Sequence, residues 1–93
     1  MKYRNRTDII NMILEATRNG ATKTKIMFRA YLSYARVIDY LQVLQENDLL
    51  IFEEGTHLYR TTEKGFKFLN ASNELNELLN WKTKGSFLAD TNL

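Results

Sequence analysis

The side chains most able to do chemistry in this chain are basic, and most of them lie in its first third. Residues 1–36 contain eight Lys or Arg and two acidic residues, a net charge of +6. Residues 37–93 contain five basic and nine acidic residues, a net charge of −4, so the overall charge of +2 hides a basic segment. A basic segment attracts polyanions, although the same pattern also fits a merely solvated face.

The residue types needed for catalysis or metal binding are scarce. The sequence has no cysteine and one histidine, His57. A zinc site needs three or four ligands close together, which one imidazole and scattered carboxylates do not supply. There is also no Gly-rich phosphate loop, and no nucleophile is paired with a base. We therefore expect no enzyme activity, no cofactor and no bound metal.

Length and composition predict a single globular domain. Hydrophobic residues make up 44% and charged residues 26% of the 93 positions, which is ordinary for a folded domain and leaves little room for a second core. No apolar run approaches the roughly 18 residues of a membrane span, and residues 1–6 are not followed by a signal segment. We therefore expect a cytoplasmic protein that does not enter a membrane.

The basic third contains two predicted helices. Apolar residues at helical spacing predict the first helix between Thr7, as its N-cap, and Gly20, as a left-handed stop. Thr22 is the predicted N-cap of a shorter helix over residues 23–30, which keeps its basic side chains in solvent.

A third helix is predicted after a turn at Tyr31 and Leu32. Ser33 is its predicted N-cap, and the helix covers residues 34–47. One apolar stripe along it should face the core. The stripe consists of Val37, Tyr40, Leu41 and Leu44. Two helices joined by a short turn and braced by an earlier helix are the layout of a helix-turn-helix unit.

The pattern then changes from helical to extended. Residues 49–53 and 57–61 are rich in strand formers and flank a turn that contains Gly55. This predicts a β-hairpin, which after a helix-turn-helix is a wing. The predicted fold class is therefore mainly α with a small β-hairpin, a winged helix-turn-helix over residues 1–81.

A fourth helix is predicted from Thr62 to about Trp81, followed by a flexible tail over residues 82–93. This helix carries more apolar surface than a three-helix core and a hairpin need. The surplus residues, at heptad-like spacing, are Phe68, Ala71, Leu75 and Leu78. This face either packs within the chain or pairs with a second copy, and we expect a homodimer through residues 62–81.

Four strings carry a resemblance to a known family. They are Ile13-Leu14-Glu15-Ala16, Gly20-Ala21-Thr22-Lys23-Thr24-Lys25-Ile26-Met27, Leu32-Ser33-Tyr34-Ala35 and Thr61-Thr62-Glu63-Lys64-Gly65. Together they resemble the small archaeal winged helix-turn-helix DNA-binding proteins, a family of predicted transcriptional regulators. The resemblance spans residues 7 to about 80. It implies double-stranded DNA as the ligand, the third helix as the reading helix, the hairpin as a wing, and dimerisation through the fourth helix.

If the apolar stripe of the third helix faces the core, the opposite face of residues 33–47 meets the major groove. That face presents Ser33, Tyr34, Arg36, Asp39 and Gln42. Arg36 is the best candidate for a base contact, since its planar guanidinium can bind guanine through two hydrogen bonds. Tyr34 fits a phosphate contact as well as a packing role. Asp39 either accepts from a cytosine amine or holds Arg36 in place.

Basic side chains on other elements are expected to contact the DNA backbone, because the first helix of the pair crosses the phosphates. The candidates are Lys23, Lys25 and Arg29 on the second helix, and Arg60 and His57 on the hairpin. Before the first helix, Lys2, Arg4 and Arg6 either form an arm that reaches DNA or are merely solvated. Such contacts would set position and affinity rather than sequence preference.

The predicted function is that of a transcriptional regulator that binds double-stranded DNA as a homodimer. Two other functions fit the same sequence. A winged-helix module can instead hold a protein partner, which the acidic second part would favour, or it can bind DNA architecturally without sequence preference. Steeply salt-dependent binding to random duplex DNA would distinguish a DNA-binding protein from the protein-interaction module. The ratio of specific to non-specific affinity would distinguish a regulator from an architectural protein.

Overall fold

The computed structural model describes residues 4–86, with side chains described as far as residue 79. Four helices and one antiparallel hairpin form in the predicted order. They are α1 (Arg6–Ala16), α2 (Lys23–Arg29), α3 (Tyr34–Glu46), β1 (Leu50–Glu53), β2 (Leu58–Thr61) and α4 (Glu63–Ser86). This arrangement confirms the predicted fold class, a mainly α winged helix-turn-helix.

Side-chain caps fix where the helices start. Asn5 caps α1, because its Oδ1 accepts from the backbone N–H of Asp8 at 2.8 Å while the Asp8 carboxylate accepts from the Asn5 N–H at 3.2 Å. The prediction of Thr7 as this cap is wrong, since the reciprocal Asn5–Asp8 pair satisfies two backbone donors together. Thr22 and Ser33 cap α2 and α3 as predicted.

Gly20 turns the chain from α1 toward the hairpin. The helix ends at Ala16, earlier than predicted, but Gly20 has the expected left-handed backbone, with a φ of +94°. The next residue, Ala21, exchanges two backbone hydrogen bonds with Tyr59 of β2, at 2.9 and 2.8 Å. The wing is therefore attached to the segment between α1 and α2, which places it beside the helix-turn-helix.

The core lies where the three first helices, the hairpin and the start of α4 meet. Its most deeply buried large side chains are Ile13, Leu14, Ile26, Val37, Leu44, Leu50 and Leu69. Of the predicted stripe on α3, Val37, Leu41 and Leu44 are buried and Tyr40 is half-buried. Because this stripe faces inward, the opposite face of α3 is left in solvent.

The start of α4 is docked onto the end of α3. Thr62 caps α4 by accepting from the N–H of Gly65 at 3.0 Å, and its hydroxyl donates to the carbonyl oxygen of Asp48 at 2.6 Å. Gly65 lies against the carbonyl group of Leu49, where a Cβ atom would overlap it. In the Thr-Glu-Lys-Gly string, the hydroxyl of Thr62 and the lack of a side chain at Gly65 thus position the start of α4.

The last helix is longer than the sequence predicted. It continues past Trp81 to Ser86, because a single glycine costs only about 1 kcal/mol in a helix and does not necessarily end it. The rest of the predicted flexible tail, residues 87–93, lies outside the described residues. No helix in the described part of the chain is long and apolar enough to cross a membrane.

Candidate nucleic-acid interface

The solvent-facing side of α3 carries several of the residues that the sequence predicts as DNA contacts. Tyr34 and Arg36 in its first turn are exposed, as are Asp39 and Gln42 farther along. The Gln42 side chain donates to the carboxylate of Glu46 at 3.1 Å. This face is therefore aromatic and basic at the N-terminal end of α3 and acidic toward its C-terminal end.

Ser33 serves the backbone at the start of this face. Its Oγ accepts from the N–H of Arg36 at 3.3 Å, which makes it the N-cap of α3. The hydroxyl proton is not used in this bond, so an exposed Ser33 keeps a donor for an anionic group.

Lys23 and Tyr34 connect the N-terminal ends of α2 and α3. The Lys23 Nζ lies 5.6 Å from the centroid of the Tyr34 ring, a cation–π contact, and the ring remains 61% exposed. Lys25 is exposed in the same first turn of α2. The Lys23 ammonium group and the Tyr34 hydroxyl thus lie at the edge of α3 where phosphates pass in helix-turn-helix complexes.

Arg36 lies beside an aromatic ring rather than in an ion pair. Its Cζ is 5.7 Å from the centroid of the Tyr40 ring, one turn farther along α3. Arg36 and Asp39 line a groove of about 270 Å³, and Arg6 from the first turn of α1 lines the same groove. The ion pairs among the described residues join Arg18 to Glu15 and Arg60 to Glu53. Asp39 therefore does not hold the guanidinium of Arg36.

Arg29 lies on a different side of α2 from Lys23. It lines a groove of about 410 Å³ between α1 and α4, together with Asn11 and Glu15 of α1 and Asn73 of α4. The three basic residues that the sequence groups on α2 are therefore divided. Lys23 faces the start of α3, whereas Arg29 faces the helix predicted to dimerise.

Arg60 is bound within the hairpin. Its Nε and Nη2 donate to the two carboxylate oxygens of Glu53, at 2.9 and 3.0 Å, and the Thr56 hydroxyl donates to the same carboxylate at 2.9 Å. The hydrogen bonds from Arg60 hold the pKa of Glu53 below its ordinary value, and the bond from Thr56 adds to this. A phosphate would have to compete with Glu53 for Arg60, so this wing offers little free positive charge.

Comparison with known proteins agrees with this geometry. A family model described as winged helix-turn-helix matches residues 3–80. The chain belongs to the winged helix-turn-helix family. Its fold is one that typically binds DNA through the second helix of the helix-turn-helix, here α3. No curated protein matches the sequence.

The N-terminal segment of this winged helix-turn-helix protein is not a free arm at Arg4. The Arg4 guanidinium donates to the carbonyl oxygens of Ala30 and Tyr31, the second at 2.9 Å. The last carbonyl groups of a helix lack intrahelical partners and therefore attract a cation. The predicted end of α2 was thus a possible partner for Arg4 that the sequence already offered. Lys2 lies outside the described residues.

Sequence reasoning assigned no binding role to Phe28 and Tyr31. Both rings are exposed, Phe28 by 69% and Tyr31 by 77%, on the last turn of α2 and the turn that follows it. Tyr31 has a left-handed backbone, with a φ of +54°. The signal that was available is the repeat of aromatic residues at positions 28, 31 and 34 beside basic residues.

The predicted dimer face of the winged helix-turn-helix domain is divided between core and surface. Phe68 packs partly against the core, whereas Ala71 is exposed. Leu75 and Leu78 are 61% and 65% exposed. The apolar surface predicted from the sequence is therefore largely uncovered within one chain. In the described part of the chain, no group of three or more His, Asp or Glu residues could hold a metal ion.

Proposed function

We propose that this protein is a transcriptional regulator of the cytoplasm that binds double-stranded DNA as a homodimer and has no enzyme activity. The observation that carries the proposal is the edge formed by Lys23 and Tyr34, where the first turns of α2 and α3 meet in solvent. The winged helix-turn-helix family membership supports DNA as the ligand. In this arrangement α3 enters the major groove with its N-terminal end first.

Each predicted contact residue on or near this edge has a role in DNA binding. Lys23 and Lys25 neutralise phosphates, and Tyr34 donates its hydroxyl to a phosphate oxygen. Arg36 and Gln42 lie farther into the groove and contact base edges, since a guanidinium binds guanine and an amide binds adenine. Ser33 donates its hydroxyl proton to a phosphate of the DNA backbone.

Two of the predicted DNA contacts, Arg60 and Arg29, are less available to phosphate. Arg60 donates from Nε and Nη2 to the carboxylate of Glu53, so its charge is compensated before DNA arrives. Arg29 lies in the groove between α1 and α4, away from the Lys23 edge. We therefore leave both outside the central contact surface.

The proposed dimer forms through α4. Ala71, Leu75 and Leu78 form an exposed stripe that two chains would bury against each other about a twofold axis. A twofold dimer of this kind would hold two copies of α3 for major grooves about 34–36 Å apart. Two half-sites then bind as one tethered unit.

Titration of a fluorescent random-sequence duplex over a range of salt concentrations tests the DNA-binding function. We expect affinity to fall log-linearly with salt, because each neutralised phosphate releases counterions. A duplex selected from random sequences then tests base recognition. Arg36→Ala should cost about 1–3 kcal/mol on the selected duplex and less on random DNA. Equal losses on both duplexes would make Arg36 a phosphate ligand.

A protein-interaction module is the second candidate function. The carboxylates of Asp39 and Glu46 on the exposed side of α3 favour it, because they repel phosphate. Absence of duplex binding at low ionic strength would support this candidate and reject the regulator. Equal affinity for selected and random DNA would instead support an architectural protein.

A further inference from the structure

The turn between α2 and α3 exposes two aromatic rings in a fixed backbone. Phe28 and Tyr31, here called the aromatic turn, are 69% and 77% exposed. The Tyr31 N–H donates to the Phe28 carbonyl oxygen at 3.3 Å, and Leu32 N–H donates to the carbonyl of Met27 at 3.0 Å. These bonds join the turn to the last residues of α2 and hold the two aromatic positions close together.

The backbone at Tyr31 is held in an unusual conformation. Its φ of +54° is one that bulky L-residues rarely adopt. Arg4, from the segment before α1, donates to the Tyr31 carbonyl oxygen at 2.9 Å and also binds the carbonyl of Ala30. Tyr31 is thus the left-handed residue that ends α2, and these bonds fix the backbone from which its exposed ring projects.

The surroundings of the aromatic turn favour a nucleic acid over a protein. Residues 16–38 contain five basic and no acidic side chains. The large exposed apolar side chains in this segment are Phe28, Tyr31 and Tyr34, all aromatic. Cations beside exposed rings are the chemistry that binds single strands, where bases stack on the rings and the backbone follows the charge. Lys23 lies over one face of the Tyr34 ring, so Phe28 and Tyr31 are the rings more accessible to a base.

We propose that the aromatic turn is a second nucleic-acid contact, in which Phe28 and Tyr31 stack on unpaired bases of locally opened DNA. The inference rests on the proposed DNA-binding function, but it assigns a ligand that α3 does not bind. Duplex is bound by α3 and by Lys23, and the unpaired bases are bound by the aromatic turn. The protein therefore prefers DNA that contains an opened segment.

Competition between two labelled duplexes of equal length tests this proposal. One is fully paired, and the other carries a central run of mismatched pairs. Wild-type protein should bind the mismatched duplex about tenfold more tightly, since stacking of one or two bases has that effect. The double variant Phe28→Gln/Tyr31→Asn should lose this preference and keep its affinity for paired duplex. Asparagine tolerates the left-handed backbone, and both positions are exposed, so folding should be retained.

Two control variants make the result specific to the rings. Tyr31→Phe keeps the ring and should keep the preference. Ile51→Thr removes an exposed apolar side chain from the wing and should also keep it. Mismatched DNA also bends more easily, but a preference based on bending would persist in the double variant. That persistence would overturn the proposal.

The remaining outcomes separate this proposal from the proposed function. Binding to paired duplex without any preference for the mismatched one would reject the aromatic contact and leave the regulator intact. It would also turn Phe28 and Tyr31 into candidates for contact with a protein. Failure to bind either duplex would reject both proposals.

Discussion

The hydroxyl oxygens of Thr17 and Thr61 lie 2.8 Å apart in the core and join the end of α1 to β2. The Thr61 hydroxyl also lies 2.7 Å from the carbonyl oxygen of Leu14, and the Thr17 hydroxyl lies 2.9 Å from that of Ile13, so each hydroxyl has a backbone acceptor besides its partner. A backbone bond of 3.0 Å from Thr61 N–H to the Thr17 carbonyl runs alongside. The wing is thus attached to α1 by a fully bonded polar pair.

Thr61→Val should lower the free energy of unfolding by about 1–3 kcal/mol, because Thr17 and the Leu14 carbonyl lose a buried partner. Chemical denaturation measures this loss, with Thr24→Val as the exposed control. Adding Thr17→Val to this variant should cost less than Thr17→Val does in the wild type, because the contact with the Thr61 hydroxyl has already been lost. Strictly additive losses would show that the two hydroxyls act independently.

Gly65→Ala should destabilise the domain by about 1–3 kcal/mol, which is typical of an overpacked site. The new Cβ would lie 2.6 Å from Cγ2 of Thr61 and would overlap the Leu49 carbonyl group. Thermal unfolding of Gly65→Ala and Gly55→Ala makes a matched comparison, because a Cβ at Gly55 meets no atom within 4 Å. Similar melting temperatures for the two variants would contradict the close approach of α4 to Leu49.

The ion pair between Glu53 and Arg60 should make the stability of the wing depend on pH. The folded pKa of Glu53 lies below its ordinary value of 4.5, chiefly because Arg60 donates to its carboxylate. A depressed carboxyl pKa contributes stability above the ordinary pKa, and that contribution is lost as the pH falls through the folded pKa.

Carboxyl NMR titration should therefore show the pKa of Glu53 rising toward 4.5 in the variant Arg60→Gln. The difference in melting temperature between wild type and this variant should shrink as the pH falls from neutral through the folded pKa. A difference that stays constant over this range would mean that the pair does not stabilise the wing.

Lys23→Ala and Arg29→Ala should have different effects on DNA binding. Lys23 lies beside Tyr34 at the start of α3, so its loss should reduce the slope of log affinity against log salt by about one. Arg29 lies in the groove between α1 and α4, and its loss should leave the slope nearly unchanged. Salt titrations of both variants on one duplex measure this, and equal slopes would contradict the division of α2 into two sides.

Leu75→Glu should convert the proposed dimer into monomers. Leu75 is 61% exposed in one chain, so the charge opposes association without disturbing the core. Sedimentation should show the change, and DNA affinity should fall in parallel by about 10²-fold, because each half-site loses its tethered partner. Asn70→Glu adds the same charge at an exposed position about 140° around the helix and should leave the dimer intact. Wild-type protein that sediments as a monomer would reject the dimer.

The sequence by itself determined the fold class, the order of elements and most helix starts. Thr22 and Ser33 act on backbone groups within three residues, and the apolar stripe of α3 needs only helical spacing to be recognised. The cap of α1 was misplaced because Asn5 and Thr7 are both cap-forming residues, and only the bond to Asp8 distinguishes them.

The partner of each basic side chain was decided by the tertiary structure. Arg4 binds the end of α2, Arg60 binds Glu53 across the hairpin, and Arg29 faces the groove between α1 and α4. A long, flexible cation takes the nearest acceptor or open surface that packing leaves, and sequence spacing does not encode that distance. Composition therefore locates the charge in the first third of the chain, whereas the packing of α1, α4 and the wing decides which charges face a ligand.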